Sequence, residues 1–188
     1  MIDTLCEKAI RENAGVACFY FDFAQEELSP DAILGSVLRQ AVSGLDEVPK
    51  RIIEVFRSRG RVVSSQKLLR FEIMGFLKDI ASSRRTFICI DALDEYPDGH
   101  RVELLDLLGQ ILQNAPRTRL FLTGRPQIRS EVEEHLAARV VTRSITPTKN
   151  DMVTFLRKKL EKDPMKGAMN KRLEEEIIQK ILETVSEM

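Results

Sequence analysis

Apolar positions along the chain alternate between helical spacing and short continuous runs. Ile2, Leu5, Cys6, Ala9 and Ile10 mark a helical stripe over residues 1–13, and Asn13 to Gly15 supply a stop. The next run, Val16 to Phe23, is rich in aromatics and Val and predicts a strand. Ser29, Pro30 and Asp31 predict a helix start, with Ser29 accepting from a free backbone N–H and Pro30 standing where no N–H is needed. That helix runs to about Ser43. Further helices are expected near Val48 to Arg57 and from Ser65 to about Ser82, the second striped by Leu68, Leu69, Ile73, Phe76, Leu77 and Ile80. Thr86 to Ile90 is a short apolar run with β-branched residues, suited to a strand covered on both faces.

The alternation continues with a leucine-rich helix over Val102 to Leu112, a strand over Arg119 to Thr123 ended by Gly124 and Pro126, a helix over Gln127 to Ala138 and a last strand over Val140 to Ile145. Thr148 followed by Asp151 resembles a capping box. Strands alternating with helices imply a parallel sheet flanked by helices, with right-handed crossovers and ligand chemistry at the carboxyl ends of the strands. Beyond Lys149 the pattern is wholly helical, through Phe155, Leu160, Leu173, Ile178 and Ile181. The expected division is an α/β core over 1–147 and the start of a helical subdomain over 148–188.

Composition narrows the function classes. With 188 residues, 43% of them hydrophobic, the chain is long enough for one core. Lys+Arg and Asp+Glu each total 29, so no net charge draws it to nucleic acid or an anionic membrane surface. The three cysteines, Cys6, Cys18 and Cys89, sit in apolar segments, as reduced buried thiols do, and no disulfide is expected. No apolar run approaches the roughly 18 residues of a membrane span, and the first residues lack a signal peptide's layout. A cytoplasmic location is the expectation.

The sharpest chemical signal is TFICIDALDE, residues 86–95. A buried strand delivers Asp91 at its carboxyl end, and Asp94 and Glu95 follow. Three carboxylates in one small volume repel one another unless a cation or hydrogen bonds compensate. The bland alternative is that Asp91 caps the following turn while Asp94 and Glu95 face solvent. The second signal is LFLTGRP, residues 120–126, which puts Thr123 and Arg125 at the end of the next strand. The guanidinium of Arg125 suits a terminal phosphate, or equally a surface pairing with Asp94 and Glu95. His100 and His135 have no metal-ligand neighbours in sequence, and neither Cys nor Ser sits in a recognisable nucleophile turn.

ICIDALDEY, followed by a helix and then LFLTGRPQ, resembles the Walker B and sensor segments of NACHT domains, particularly the nephrocystin-like N-terminal type common in fungal NLR-type proteins. GVACFYFDF, residues 15–23, is similar to that family's second strand. The resemblance implies a three-layer parallel sheet of the P-loop NTPase type and a signal-transducing (STAND) protein switched by ATP or GTP. It implies that Asp91 is the Mg²⁺-associated residue, that Asp94 and Glu95 contain the catalytic acid, and that Arg125, with Thr123 beside it, is the sensor on the nucleotide side. Mg-ATP or Mg-GTP is the implied cofactor of the complete domain. The implied partners are other NACHT protomers or the remaining segments of a longer protein.

A phosphate-binding loop needs glycines whose N–H groups wrap the phosphates, then Lys and Ser or Thr opening a helix. The nine glycines form no G-x-x-x-x-G-K-[ST]. Residues 1–13 resemble the helix that follows such a loop, so the fold is expected to be incomplete, without its first strand. That strand is expected between the one ending at Thr123 and the one at Val140 to Ile145. Its absence leaves those two strands either to pair directly or to keep open edges. Two functions follow: a portion of a NACHT-type switch, inactive alone, or a non-catalytic short form that docks on full-length partners.

Overall fold

In the computed structural model, which describes residues 7, 9, 11–22, 28–59, 68–136, 140–161 and 170–186, three of the apolar runs become parallel strands. These are β1 (Gly15–Tyr20), β2 (Thr86–Asp91) and β3 (Thr118–Leu122), in the spatial order β1-β2-β3. Gly15 lies opposite Thr86 and Tyr20 opposite Asp91; Thr86 lies opposite Thr118 and Ile90 opposite Leu122. Parallel neighbours require crossovers, and helices α1 (Pro30–Ser43), α2 (Lys50–Arg59) and α3 (Arg70–Ser83) lie between β1 and β2, with α4 (Asp98–Asn114) between β2 and β3. After β3 come α5 (Arg129–Leu136), α6 (Lys149–Glu161) and α7 (Lys171–Ser186).

The helix starts follow the local chemistry. Ser29 accepts the N–H of Ala32 at 3.3 Å, and Pro30 opens α1. The helix expected from Ser65 begins at Arg70, residues 65–67 lying outside the described residues. The N–H of Leu69 donates to the Glu72 carboxylate at 2.8 Å, which fixes that start. Most of the stripe over residues 1–13, Cys6 included, also lies outside them, as do Phe23, Ala137 and Ala138.

Ala17, Ile88 and Ile90 share one face of the sheet and are at most 2% exposed. They join Ile33, Leu34 and Val37 of α1, Phe76 and Leu77 of α3 and Leu104, Leu105 and Leu108 of α4 in one core. Arg70 ties α3 to its neighbours, meeting Asp31 and Glu103 at 2.5 Å each, and both partners raise its pKa. Arg84 donates to the carbonyls of Gly44 at 2.6 Å and Ala41 at 2.9 Å, closing the last turn of α1, and its burial there lowers its pKa.

The two edges of the sheet differ. Gly15 and Phe21 bond through their N–H groups to β2 and its flank, so Val16, Cys18 and Tyr20 turn their backbone groups outward. Gln40 of α1 covers this edge: its Oε1 accepts the Cys18 N–H at 2.9 Å and its Nε2 donates to the Cys18 carbonyl at 2.8 Å. On β3, Thr123 bonds inward to Ile90, so Leu122 and Leu120 turn outward. Among the described residues, nothing pairs with their backbones on that side. Phe121, between them, is 41% exposed.

The strand expected over Val140 to Ile145 does not form. Residues 140–148 carry no regular structure, and Val141 and Ile145 are 85% and 90% exposed. A strand exists only through a backbone-paired neighbour, and among the described residues this segment has no such partner, whatever its β propensity. The direct pairing with β3 that the sequence leaves open is absent among the described residues.

The chain divides into two compact units, Met1–Thr142 and Arg143–Met188. The second contains α6 packed on α7. The predicted capping box at Thr148 forms: its N–H donates to the Asp151 carboxylate at 3.0 Å, and the Asp151 N–H returns to the Thr148 hydroxyl at 3.2 Å. Among the described residues, no helix is long and apolar enough to cross a membrane.

Candidate functional site

The carboxyl ends of β2 and β3 lie side by side, and the segments that leave them are stitched together. The Thr123 hydroxyl donates to the Asp91 carboxylate and accepts the Ala92 N–H at 3.0 Å. The Thr123 N–H donates to the Ile90 carbonyl at 3.0 Å, and the Thr123 carbonyl accepts the Leu93 N–H at 2.9 Å. Ala92 has φ of 54°, a left-handed conformation that costs an L-residue energy and is held here by these flanking bonds. The kink turns the chain sharply out of β2 into a short 3-10 turn over Leu93–Glu95.

That turn sets the fates of the three acids. Leu93 points into the core at 0% exposure, which leaves Glu95 on the exposed side. Asp94, with a side chain only 6% exposed, accepts the Arg125 backbone N–H at 3.1 Å and faces its guanidinium at 3.4 Å. Arg125 itself stays 72% exposed. Gly124 packs closely here: a Cβ there would stand 2.6 Å from Ile128 Cδ1 and 3.4 Å from Asp94 Oδ1, so Ile128 would have to shift to admit one.

Asp91, Asp94, Thr123 and Arg125 are therefore brought together, as the sequence predicts. Of the two compensations the sequence leaves open for the clustered acids, hydrogen bonds are present, from the Thr123 hydroxyl to Asp91 and from the Arg125 N–H to Asp94. Among the described residues, no group of three or more His, Cys, Asp or Glu side chains is placed to hold a metal. The reason is local: Asp91 is engaged by a hydroxyl, Asp94 by the Arg125 segment, and Glu95 turns outward. The surface pairing of Arg125 with Asp94 is realised.

Sequence reasoning passed over the aromatic floor beside the site. Phe21, just past β1, stacks on Tyr96 with ring centroids 4.4 Å apart and planes 18° from parallel. The Tyr96 hydroxyl donates to the Leu28 carbonyl at 2.7 Å. The tyrosine that closes ICIDALDEY was the available signal. Beneath it, Arg101 is 5% exposed and donates to the Tyr96 carbonyl at 2.7 Å, to Glu131 at 2.6 and 2.9 Å and to Asp98 at 2.7 Å. It locks the loop after β2 to α4 and α5, and Glu131 above all raises its pKa. His135 pairs with Asp106 at 2.7 Å, a surface role.

Against a magnesium nucleotide, this residue set fits one side only. Asp91 with Thr123 suits a single water-mediated contact to a cation, and Arg125 has an exposed guanidinium for an anion. The given sequence contains no G-x-x-x-x-G-K-[ST].

The family model for nephrocystin 3, N-terminal, matches residues 1–125, and so covers β1 through Arg125. Among solved structures, a Walker-type ATPase of Pyrococcus abyssi is similar at 14% identity with a TM-score of 0.44, over 93% of this chain and 60% of that one. The chain thus spans less than two thirds of that structure's length. No curated protein matches. Because the match covers 125 of the 188 residues, this chain belongs to the nephrocystin 3, N-terminal family.

Proposed function

We propose that this chain is a portion of a NACHT-type signal-transducing NTPase, carrying the Walker B strand and the sensor segment of a nucleotide switch and inactive as a hydrolase by itself. The observation that carries the reading is the bond from Thr123 to Asp91 across the carboxyl ends of β2 and β3. It sets a carboxylate beside a hydroxyl and an exposed arginine where α/β sheets bind ligands. In the complete domain, Asp91 would face the Mg²⁺ of Mg-ATP or Mg-GTP, Asp94 and Glu95 would supply the acid, and Thr123 and Arg125 would sense the terminal phosphate. The test is the size of the native protein, using an antibody against residues 160–188 with the upstream transcript sequenced alongside. A band well above 21.5 kDa with an in-frame G-x-x-x-x-G-K-[ST] before Met1 is expected.

A second reading is a non-catalytic short form that docks on full-length NACHT partners. The outward backbones of Leu120 and Leu122 favour it, because an open strand edge is a template for strand addition. A native band near 21.5 kDa would put this reading first.

A further inference from the structure

Cys18 and Cys89 are far apart in sequence but stand directly opposite one another in the β1–β2 register. Register partners on adjacent strands project from the same face, here the one opposite Ala17 and Ile88. Neighbouring strands run about 4.8 Å apart, within the roughly 4.4–6.8 Å Cα separation over which a disulfide closes. Both residues are in the thiol form, outside any disulfide. Cys89 is 3% exposed, whereas Cys18 is partly exposed, so of the two residues Cys18 is the one that meets solvent.

The register is itself held. Gln40 grips both backbone groups of Cys18, at 2.9 and 2.8 Å. A slip of β1 by one residue would break both bonds and send the Cys18 side chain to the opposite face. Asp91 lies two residues beyond Cys89 on the same face of β2, so chemistry at this pair acts on the strand that carries the candidate site.

We propose that Cys18 and Cys89 form a dithiol site that exchanges with small disulfides of the glutathione type and closes a cross-strand bond between β1 and β2. The Cys18 thiolate attacks one sulfur of the reagent, forms a mixed disulfide and releases one thiol. The Cys89 thiolate then attacks the Cys18 sulfur and releases the second. Two protein thiols become one S–S bond, and the reagent's S–S bond becomes two thiols, so atoms and electrons balance.

The test treats the native chain with oxidised glutathione and maps tryptic peptides without reduction. The three cysteines fall on separate peptides, residues 1–8, 12–39 and 86–101. A link between 12–39 and 86–101 is expected, with the intact chain lighter by two hydrogens, in both the parent and Cys6→Ser. Cys89→Ser should stop at glutathione on Cys18. A link to residues 1–8, a link between two chains, glutathione left on Cys18 of the parent, or no reaction would each overturn the proposal. Repeating the reaction in denaturant separates register from chance, because loss of the register should scatter the pairing over all three thiols.

Discussion

Thr123 joins β3 to β2 by giving its hydroxyl hydrogen to Asp91, and the same oxygen accepts the Ala92 N–H at 3.0 Å. One side chain thus fixes the carboxylate and supports the left-handed residue behind it. Thr123→Val keeps the shape but removes both bonds, and is expected to lower the unfolding free energy by about 2 kcal/mol. Thr123→Ser should keep most of it. Urea midpoints of the two variants check this; equal midpoints would show that the hydroxyl is idle.

The Arg101 guanidinium is buried among Glu131, Asp98 and the Tyr96 carbonyl. Arg101→Met is expected to cost about 3 kcal/mol, because Glu131 and the Tyr96 carbonyl lose their donor together. Restoring balance with Arg101→Met plus Glu131→Leu should recover part of the loss. Thermal melts of the single and double variants give the coupling directly.

Gln40→Leu leaves the Cys18 N–H and carbonyl without their partners at the edge of β1 and is expected to cost about 2 kcal/mol. Amide exchange offers a local reading. The Cys18 amide should exchange at least tenfold faster in the variant, and the Leu120 and Leu122 amides should exchange quickly in the parent because they face outward. Slow exchange at Leu120 and Leu122 would mean that the β3 edge is covered in solution.

Binding of Mg-ATP to the isolated chain should show no submicromolar saturation, because one carboxylate, one hydroxyl and one arginine cannot replace a phosphate cradle. Isothermal titration tests it. Submicromolar binding abolished by Asp91→Ala would contradict the proposed division of labour.

Acidification should loosen the start of α6. The Thr148 hydroxyl first, and then its N–H, hold the Asp151 carboxyl below the usual carboxylate range. A depressed folded pKa gives stability that is present above the ordinary value of about 4 and lost as the pH falls through the lowered one. In Thr148→Ala the Asp151 carboxyl should titrate closer to its ordinary value, so the proton-linked shift of the Asp151 resonances should move to higher pH.

What the sequence by itself determined is local and periodic. The three strands that form, the Ser29 and Thr148 helix starts, and the placing of Asp91 and Thr123 each at the end of its own strand all follow from apolar runs and capping residues within a few positions of one another. Tertiary structure decided what depends on neighbours. The Val140 to Ile145 run has strand chemistry yet stays unpaired, because a strand needs hydrogen-bonding partners that no local pattern supplies. The pairing of Arg125 with Asp94, the bond from Thr123 to Asp91, the grip of Gln40 on Cys18 and the meeting of Cys18 with Cys89 all join residues 22 or more positions apart. Each depends on strand register, which the packed helices fix and the linear order alone leaves open.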